Sequence, residues 1–210
     1  MEIHAPEGPT KSFKDFAIHI VIVIVTIGIL IALGLEGIRE TIHEHFVVRD
    51  ARENFQSEFR GNRINLDKEL KNDKETLALL DQIIKDLPEL RQNPSQLAKR
   101  VAVLRSSGYF FSSSRWESAL STGALGHMSV DEVNRYAQVN FLVRTYTSLE
   151  SKASNDWEQL EAFFKARPSP GPTELDSGVE KIFVYHSDVR DLNQAGGEFS
   201  SSLDRSLGQN

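Results

Sequence analysis

The sequence predicts an all-α protein: an N-terminal transmembrane helix continuing into an antiparallel helical bundle. Three observations carry this. Residues Phe16 to Leu35, FAIHIVIVIVTIGILIALGL, pass without a formal charge. Beyond them the apolar residues recur at steps of three, four and seven, the period of one helix face. No strand-like alternation survives in that part, apart from a brief Ser107–Ser113 segment that reads equally well as loop.

The apolar run comes first. At the rise of an α-helix its twenty residues cover about 30 Å, the hydrocarbon thickness of a bilayer. Its Ile/Val alternation does not make it a strand, because open sheet edges leave backbone groups unpaired in lipid. It is also longer than the roughly 7–15 apolar residues of a signal peptide, although Ala32-Leu33-Gly34 is a passable cleavage site. Lys11 and Lys14 on one side nearly balance Arg39 and Arg49 on the other, so the positive-inside rule almost ties. A short leader kept in the cytoplasm, with the long C-terminal part exported, is the simpler insertion. The chain therefore divides into a leader, 1–15, a spanning helix, 16–35, and a helical bundle domain, 36–210.

Past the span, Ile38, Ile42, Phe46, Phe55, Phe59, Leu66, Leu70, Leu77, Leu80, Ile84 and Leu87 trace one helical stripe. Pro88 predicts its end near Leu87, because the residue before a proline resists the α conformation. Gly61 is the one weak point. If the span runs straight into this helix, the two form a single rod, with Glu36 marking where lipid ends.

Start signals follow. Asn93-Pro94, with Gln96 three beyond the cap, predicts a helix carrying Leu97, Val101 and Leu104. Ser114-Arg-Trp-Glu117 has the form of a capping box, opening a short helix with Trp116 and Leu120 four apart and Gly123 as its left-handed stop. Ser129-Val-Asp-Glu132 is a second box. It leads into a stripe through Val139, Leu142, Tyr146, Leu149, Ala153, Trp157, Leu160 and Phe164, closed by Pro168-Ser-Pro170-Gly-Pro172. Thr173-Glu-Leu-Asp176 starts a last helix, carried on by Leu175, Val179, Ile182, His186 and Val189. Gly196-Gly197 is expected to bend or end it, with Phe199, Leu203 and Leu207 keeping the phase beyond. The stripes at 50–87 and 129–166 are alike in length, which suits an up-and-down bundle with the second rod returning along the first.

Composition narrows the chemistry. Lys and Arg number 24 against 30 Asp and Glu, a net charge of −6, and the acidic excess persists beyond Leu35. Nucleic acid, which rewards clustered Lys and Arg, is not an expected partner. The absence of cysteine excludes disulfides and thiolate chemistry, and is compatible with an oxidising compartment.

No motif marks an active site. His43-Glu44-His45 places two imidazoles two residues apart, pointing in different directions from a helix, so a solvated juxtamembrane face accounts for them better than a metal, even with Glu40 nearby. His19 lies near one end of the apolar run, within reach of headgroups, and Thr26 can bond its own backbone. Gly28 and Ala32 form a small-xxx-small pair that would let two such helices approach closely. His127 and His186 sit among apolar neighbours and read as core or boundary histidines. Ser112-Ser-Ser114 lacks the glycines of a nucleophile elbow, and no phosphate loop, zinc-hydrolase helix or dinucleotide fingerprint is present. The expectation is a non-enzyme without metal or cofactor, with no catalytic, cofactor-binding or metal-ligating residue assigned.

Met1-Glu-Ile-His-Ala-Pro-Glu-Gly-Pro9, Ser12-Phe-Lys-Asp-Phe16, Ile27-Gly-Ile-Leu-Ile-Ala-Leu-Gly-Leu-Glu36, and then Trp116, Ala119, Gly123, Leu125 and Met128 resemble a family of uncharacterised bacterial single-pass inner-membrane proteins, a domain of unknown function. The resemblance covers most of the chain. It implies a bacterial inner-membrane location and a helical C-terminal part. It implies no activity, so no catalytic residue is carried over.

Two functions follow as expectations. One is a membrane-anchored scaffold or accessory protein, embedded in the bilayer and associating with its own copy or with another membrane or periplasmic protein. The other is an extracytoplasmic ligand-sensing bundle; it would signal through a partner, because no second apolar run leads back to an output domain and the leader before Phe16 is too short to form one. An exposed apolar stripe along the long helix favours association, and a buried cavity with converging polar groups favours sensing.

Overall fold

A computed structural model describes residues 11–106 and 108–208, and among them every regular element is helical. Helix α1, Lys11–Lys85, runs 75 residues without a break. Gly61 does not interrupt it. The leader up to Thr10 lies outside the described residues. From Ile18 onward α1 contains an 18-residue window of mean hydropathy 2.9, none of it buried inside the protein, so the helix is long and apolar enough to cross a membrane.

Contacts divide the chain into two units, Met1–Arg49 and Asp50–Asn210. Residues 36–49, assigned from sequence to the bundle, fall in the first of these. In the second, the part of α1 beyond Arg49 is joined by α2, Leu87–Leu90; α3, Pro94–Val101; α4, Ser114–Ser121; a 3₁₀ turn at Ala124–His127; α5, Val130–Ala166; and α6, Pro172–Leu207.

The directions of the three long helices follow from their side-chain pairs. Arg63 meets Asp204 while Asp81 meets His186, so α6 runs antiparallel to α1. Lys152 with Asp188 and Arg167 with Glu174 make α5 and α6 antiparallel as well. By contrast, Arg52 bonds Glu132, Phe55 stacks on Tyr136 with ring centroids 4.4 Å apart, and Asp73 faces Tyr146. Helices α1 and α5 therefore run the same way, and the helix that returns along α1 is α6 and not the 129–166 rod expected from sequence.

Parallel neighbours require the chain to travel back along α1 between them, and the connection from Arg105 to the start of α4 does so, its described residues up to Ser113 having no regular structure. Thr76 bonds the Arg105 carbonyl, Asn65 the Phe110 carbonyl, Asn62 both backbone groups of Ser112, and Phe55 touches Trp116. That stretch of α1 spans roughly 30 Å at the helical rise, and the same number of ångströms needs about half as many extended residues. The Ser107–Ser113 segment is thus coil on its described residues, held by side chains of α1 in place of a sheet partner.

Several helix ends differ from expectation. Helix α1 stops at Lys85, and Pro88 sits in the first turn of α2, where its missing N–H has no bond to lose. Asn93 precedes α3, but its carboxamide is engaged by Ser95 Oγ at 2.9 Å and does not cap the backbone. Helix α4 begins at Ser114 itself, so that serine is not the cap; Glu58 takes the role from α1, accepting from Ser114 Oγ and from the Arg115 backbone N–H, each at 3.2 Å. Ser129 does cap α5, accepting from the Glu132 N–H at 3.3 Å, but Glu132 turns to Arg52 and does not close the box. Helix α6 starts one residue before Thr173, with Glu174 accepting from the Gly171 N–H at 3.1 Å.

The expected bend at Gly196-Gly197 is absent, and α6 continues to Leu207. Gly196 serves packing: a Cβ there would lie 2.5 Å from Leu70 Cδ2 and 3.3 Å from Tyr146 Cε2. Gly123 is left-handed, φ 74°, as a helix stop requires. In α4 the buried residue is Ala119, and Leu120 is exposed.

Candidate functional site

Two features stand out: an uncovered apolar face on the first unit and a polar layer inside the second. On the first unit, Ile38, Ile42 and Phe46 lie four residues apart on one helix face and are 59%, 52% and 50% exposed. Helical residues four apart are neighbours on the surface, so the three side chains form a continuous strip. Arg49 lies over the Phe46 ring, 4.8 Å from its centroid. The residues before the strip are those of the apolar run. There Thr26 Oγ1 donates to the Ile22 carbonyl at 2.8 Å, the backbone bond expected of it. Nothing crowds Gly28, and Ala32 is exposed, so the small-residue pair lies on an open face.

The polar layer emerges from the register of α1. Its buried positions run Phe55, Phe59, Asn62, Leu66, Glu69, Asp73, Thr76, Leu80 and Ile83, alternating steps of four and three. This is the spacing of a coiled-coil seam. The mid-section of the seam is polar: Glu69 is 1% exposed and Asp73 5%. Following apolar residues alone leads instead to Leu70 and Leu77, which are only half-buried neighbours of the true core positions. Extending the four-three spacing from Phe59 and Leu66 through to Leu80 and Ile83 would have found the carboxylates.

The layer is completed by other elements. Tyr146 and Glu150 come from α5, Tyr185 and Asp188 from α6, and the Arg105 backbone from the extended connection. The Arg105 carbonyl accepts from the Tyr185 hydroxyl at 3.3 Å and from Thr76 Oγ1 at 3.5 Å. Asp188 is held by Lys152, which also donates to Asp156 at 3.2 Å. Asp73 Oδ2 and the Tyr146 hydroxyl lack hydrogen-bond partners, which is costly for buried polar atoms. The adjoining cavity measures about 10 Å³, near the minimum that admits one water.

Burial dominates the electrostatics. It raises the Asp73 carboxyl to about 7, with Glu150 adding repulsion and Tyr146 opposing the shift. The Glu150 carboxyl rises for the same reason, against a backbone hydrogen bond at Tyr109. Burial also pushes both phenols, Tyr146 and Tyr185, far up, with the nearby carboxylates adding to the effect. Such a layer can store a proton. Its cavity is too small for an organic substrate.

The histidines do not converge. His186 Nε2 lies 2.8 Å from Asp81 Oδ1 at the bundle surface, a boundary histidine as expected, whereas His127 is exposed on the 3₁₀ turn and not set among core residues. His43 and His45 are exposed on α1, and among the described residues no three His, Asp or Glu side chains form a group able to hold a metal ion. Ser112 and Ser114 bond the Glu58 carboxylate at 2.6 and 3.2 Å, where the same carboxylate also accepts from the Arg115 backbone N–H at the start of α4. A groove of about 330 Å³ between α3 and α5 is lined mainly by Ala98, Val101, Ala102, Phe164 and Pro168, with Ser95, Lys99, Glu161 and Lys165 also lining it.

Comparison with known proteins returns no matching family model, no matching curated protein and no matching solved structure.

Proposed function

We propose that this protein is a single-pass, membrane-anchored helical bundle that acts by association, pairing with a second copy of itself through the face of α1 that follows the span. The bacterial inner membrane, with the bundle on the periplasmic side, is the location this reading assigns, and it fits the resemblance to a bacterial single-pass family. The observation that carries it is the uncovered strip Ile38, Ile42 and Phe46. Apolar side chains at helical spacing lose water only when a partner covers them, and burying each contributes roughly 1.5–3 kcal/mol. Charged neighbours such as Arg39, Glu40 and Glu44 keep this segment out of the hydrocarbon. The open Gly28/Ala32 face would bring two copies close within the membrane.

The native chain has no cysteine, so single substitutions provide a clean readout. Ile38→Cys, Ile42→Cys and Phe46→Cys should each give disulfide-linked dimers in oxidised intact membranes, while Glu40→Cys, on the opposite face, should not. Monomer at all four positions would sink self-association; crosslinking to another protein at the three strip positions would redirect it to a hetero-partner. Ligand sensing draws less support, because the enclosed polar cavity is of water size.

A further inference from the structure

We propose that the polar layer at the centre of the bundle is a proton-binding site, in which Asp73 holds a proton beside Tyr146 and one enclosed water, and releases it on alkalinisation to loosen the packing of α1 against α5 and α6. This goes beyond the association reading and does not depend on it.

The geometry makes the case. Asp73 is 5% exposed and its Oδ2 has no hydrogen-bond partner; the Tyr146 hydroxyl, also buried, has none either. An ionised carboxylate in that position would have only the Tyr146 hydroxyl beside it as a donor, whereas a protonated one gains an O–H and can also bond a water in the adjoining cavity. The carboxylate that acts on it, Glu150 of α5, adds repulsion, and the other carboxylates of the layer, Glu69 of α1 and Asp188 of α6, offer no cation. Tyr185 is committed to the Arg105 carbonyl. Lys152 is committed to Asp188 and Asp156. The Arg105 guanidinium bonds the Ala102 and Leu104 carbonyls, both at 3.4 Å. Among the described residues no Lys, Arg or His pairs with Asp73. Binding a proton is therefore the way this core removes a charge that it does not pair.

The sign of the effect follows. A carboxyl that holds its proton more tightly when folded, about 7 against 3.8 unfolded, stabilises the fold at low pH. That stabilisation is fully present below the unfolded value and is lost as pH rises through the folded one. Above neutrality the core contains an added negative charge that Glu150 repels. The layer lies midway along α5 and α6 and within the part of α1 packed against them, so the seam that opens is the one holding the three together.

The test uses the full chain in detergent micelles. Infrared difference spectra between about pH 5 and pH 9 should show a protonated-carboxyl carbonyl band that disappears near neutrality, well above the ordinary carboxylate range. Asp73→Asn should remove it. Relative to that variant, the wild-type unfolding constant in urea should rise about tenfold per pH unit between the two carboxyl values, as one proton requires. Glu150→Gln guards against a variant that fails to fold: it should keep the band and shift its loss to lower pH, because the facing carboxylate that repels Asp73 is gone. A wild-type chain without the band, a band that survives Asp73→Asn, or a band abolished by Glu150→Gln would each overturn the assignment.

Discussion

Glu132 shows how a single carboxylate ties two helices together. It accepts from Arg52 Nε at 2.6 Å, from Arg52 Nη2 at 2.8 Å and from the Tyr136 hydroxyl at 3.1 Å, while its own N–H is capped by Ser129. Arg52 holds the carboxyl below its ordinary value despite partial burial, and burial together with the Glu132 charge lifts the Tyr136 phenol to about 12. Arg52→Ala should destabilise the bundle by about 1–2 kcal/mol; the guanidinium is half exposed, so the full cost of breaking a buried pair is not expected. Because the folded carboxyl is depressed, its contribution is present above the unfolded Glu range and fades as pH falls through the folded value. Urea titrations should therefore separate wild type from Arg52→Ala at neutral pH and bring them together in acid. The adjacent glycines of α6 give a second contrast. Gly196→Ala must displace Leu70 and should cost about 1–3 kcal/mol. Gly197 has nothing within 4 Å of a built Cβ, and Gly197→Ala should instead stabilise by about 0.5–1 kcal/mol through helix propensity. Equal losses at both positions would contradict the close-packing role of Gly196.

Among the elements, α4 is capped from a distance. Four residues spaced as a capping box, Ser114 to Glu117, are present in the sequence, yet the helix starts at Ser114, whose N–H donates to Ser112 Oγ, and the Arg115 N–H donates to Glu58 on α1. Glu117 points to Arg144, 2.7 Å away and exposed. A carboxylate at a helix N-terminus satisfies free donors and complements the dipole. Glu58→Ala should cost about 1 kcal/mol and expose the Arg115 amide to rapid hydrogen exchange, whereas Glu117→Ala should change stability by no more than about 0.5 kcal/mol. If Glu117→Ala were the more damaging, the local box would be the true cap. The extended segment before α4 depends on the same face of α1, through Asn62 and Asn65, so this stretch has no independent fold to return to once α1 is displaced.

For the whole molecule, the long apolar helix makes the membrane prediction. The chain should resist carbonate extraction, and protease added to spheroplasts should remove the bundle; protection there would reverse the proposed topology. By itself the sequence determined the helical class, the long apolar N-terminal helix and most helix starts, because these rest on local quantities: twenty residues without a formal charge, a three-four period, and prolines that end or open turns. It did not determine direction or register. That α5 lies parallel to α1 was decided by the return of the connection between Arg105 and α4, which is held by side chains of α1 that are distant in sequence. That Gly196 continues a helix was decided by Leu70 on another one. The polar seam was hidden because Glu69 and Asp73 sit beside Leu70 and the apolar reading slid by one residue onto the neighbouring face. Periodicity reports which residues share a helix face, but only packing against a second and third helix decides which of two adjacent faces is enclosed. The burial that gives Asp73 its proton is therefore a property of the assembled bundle.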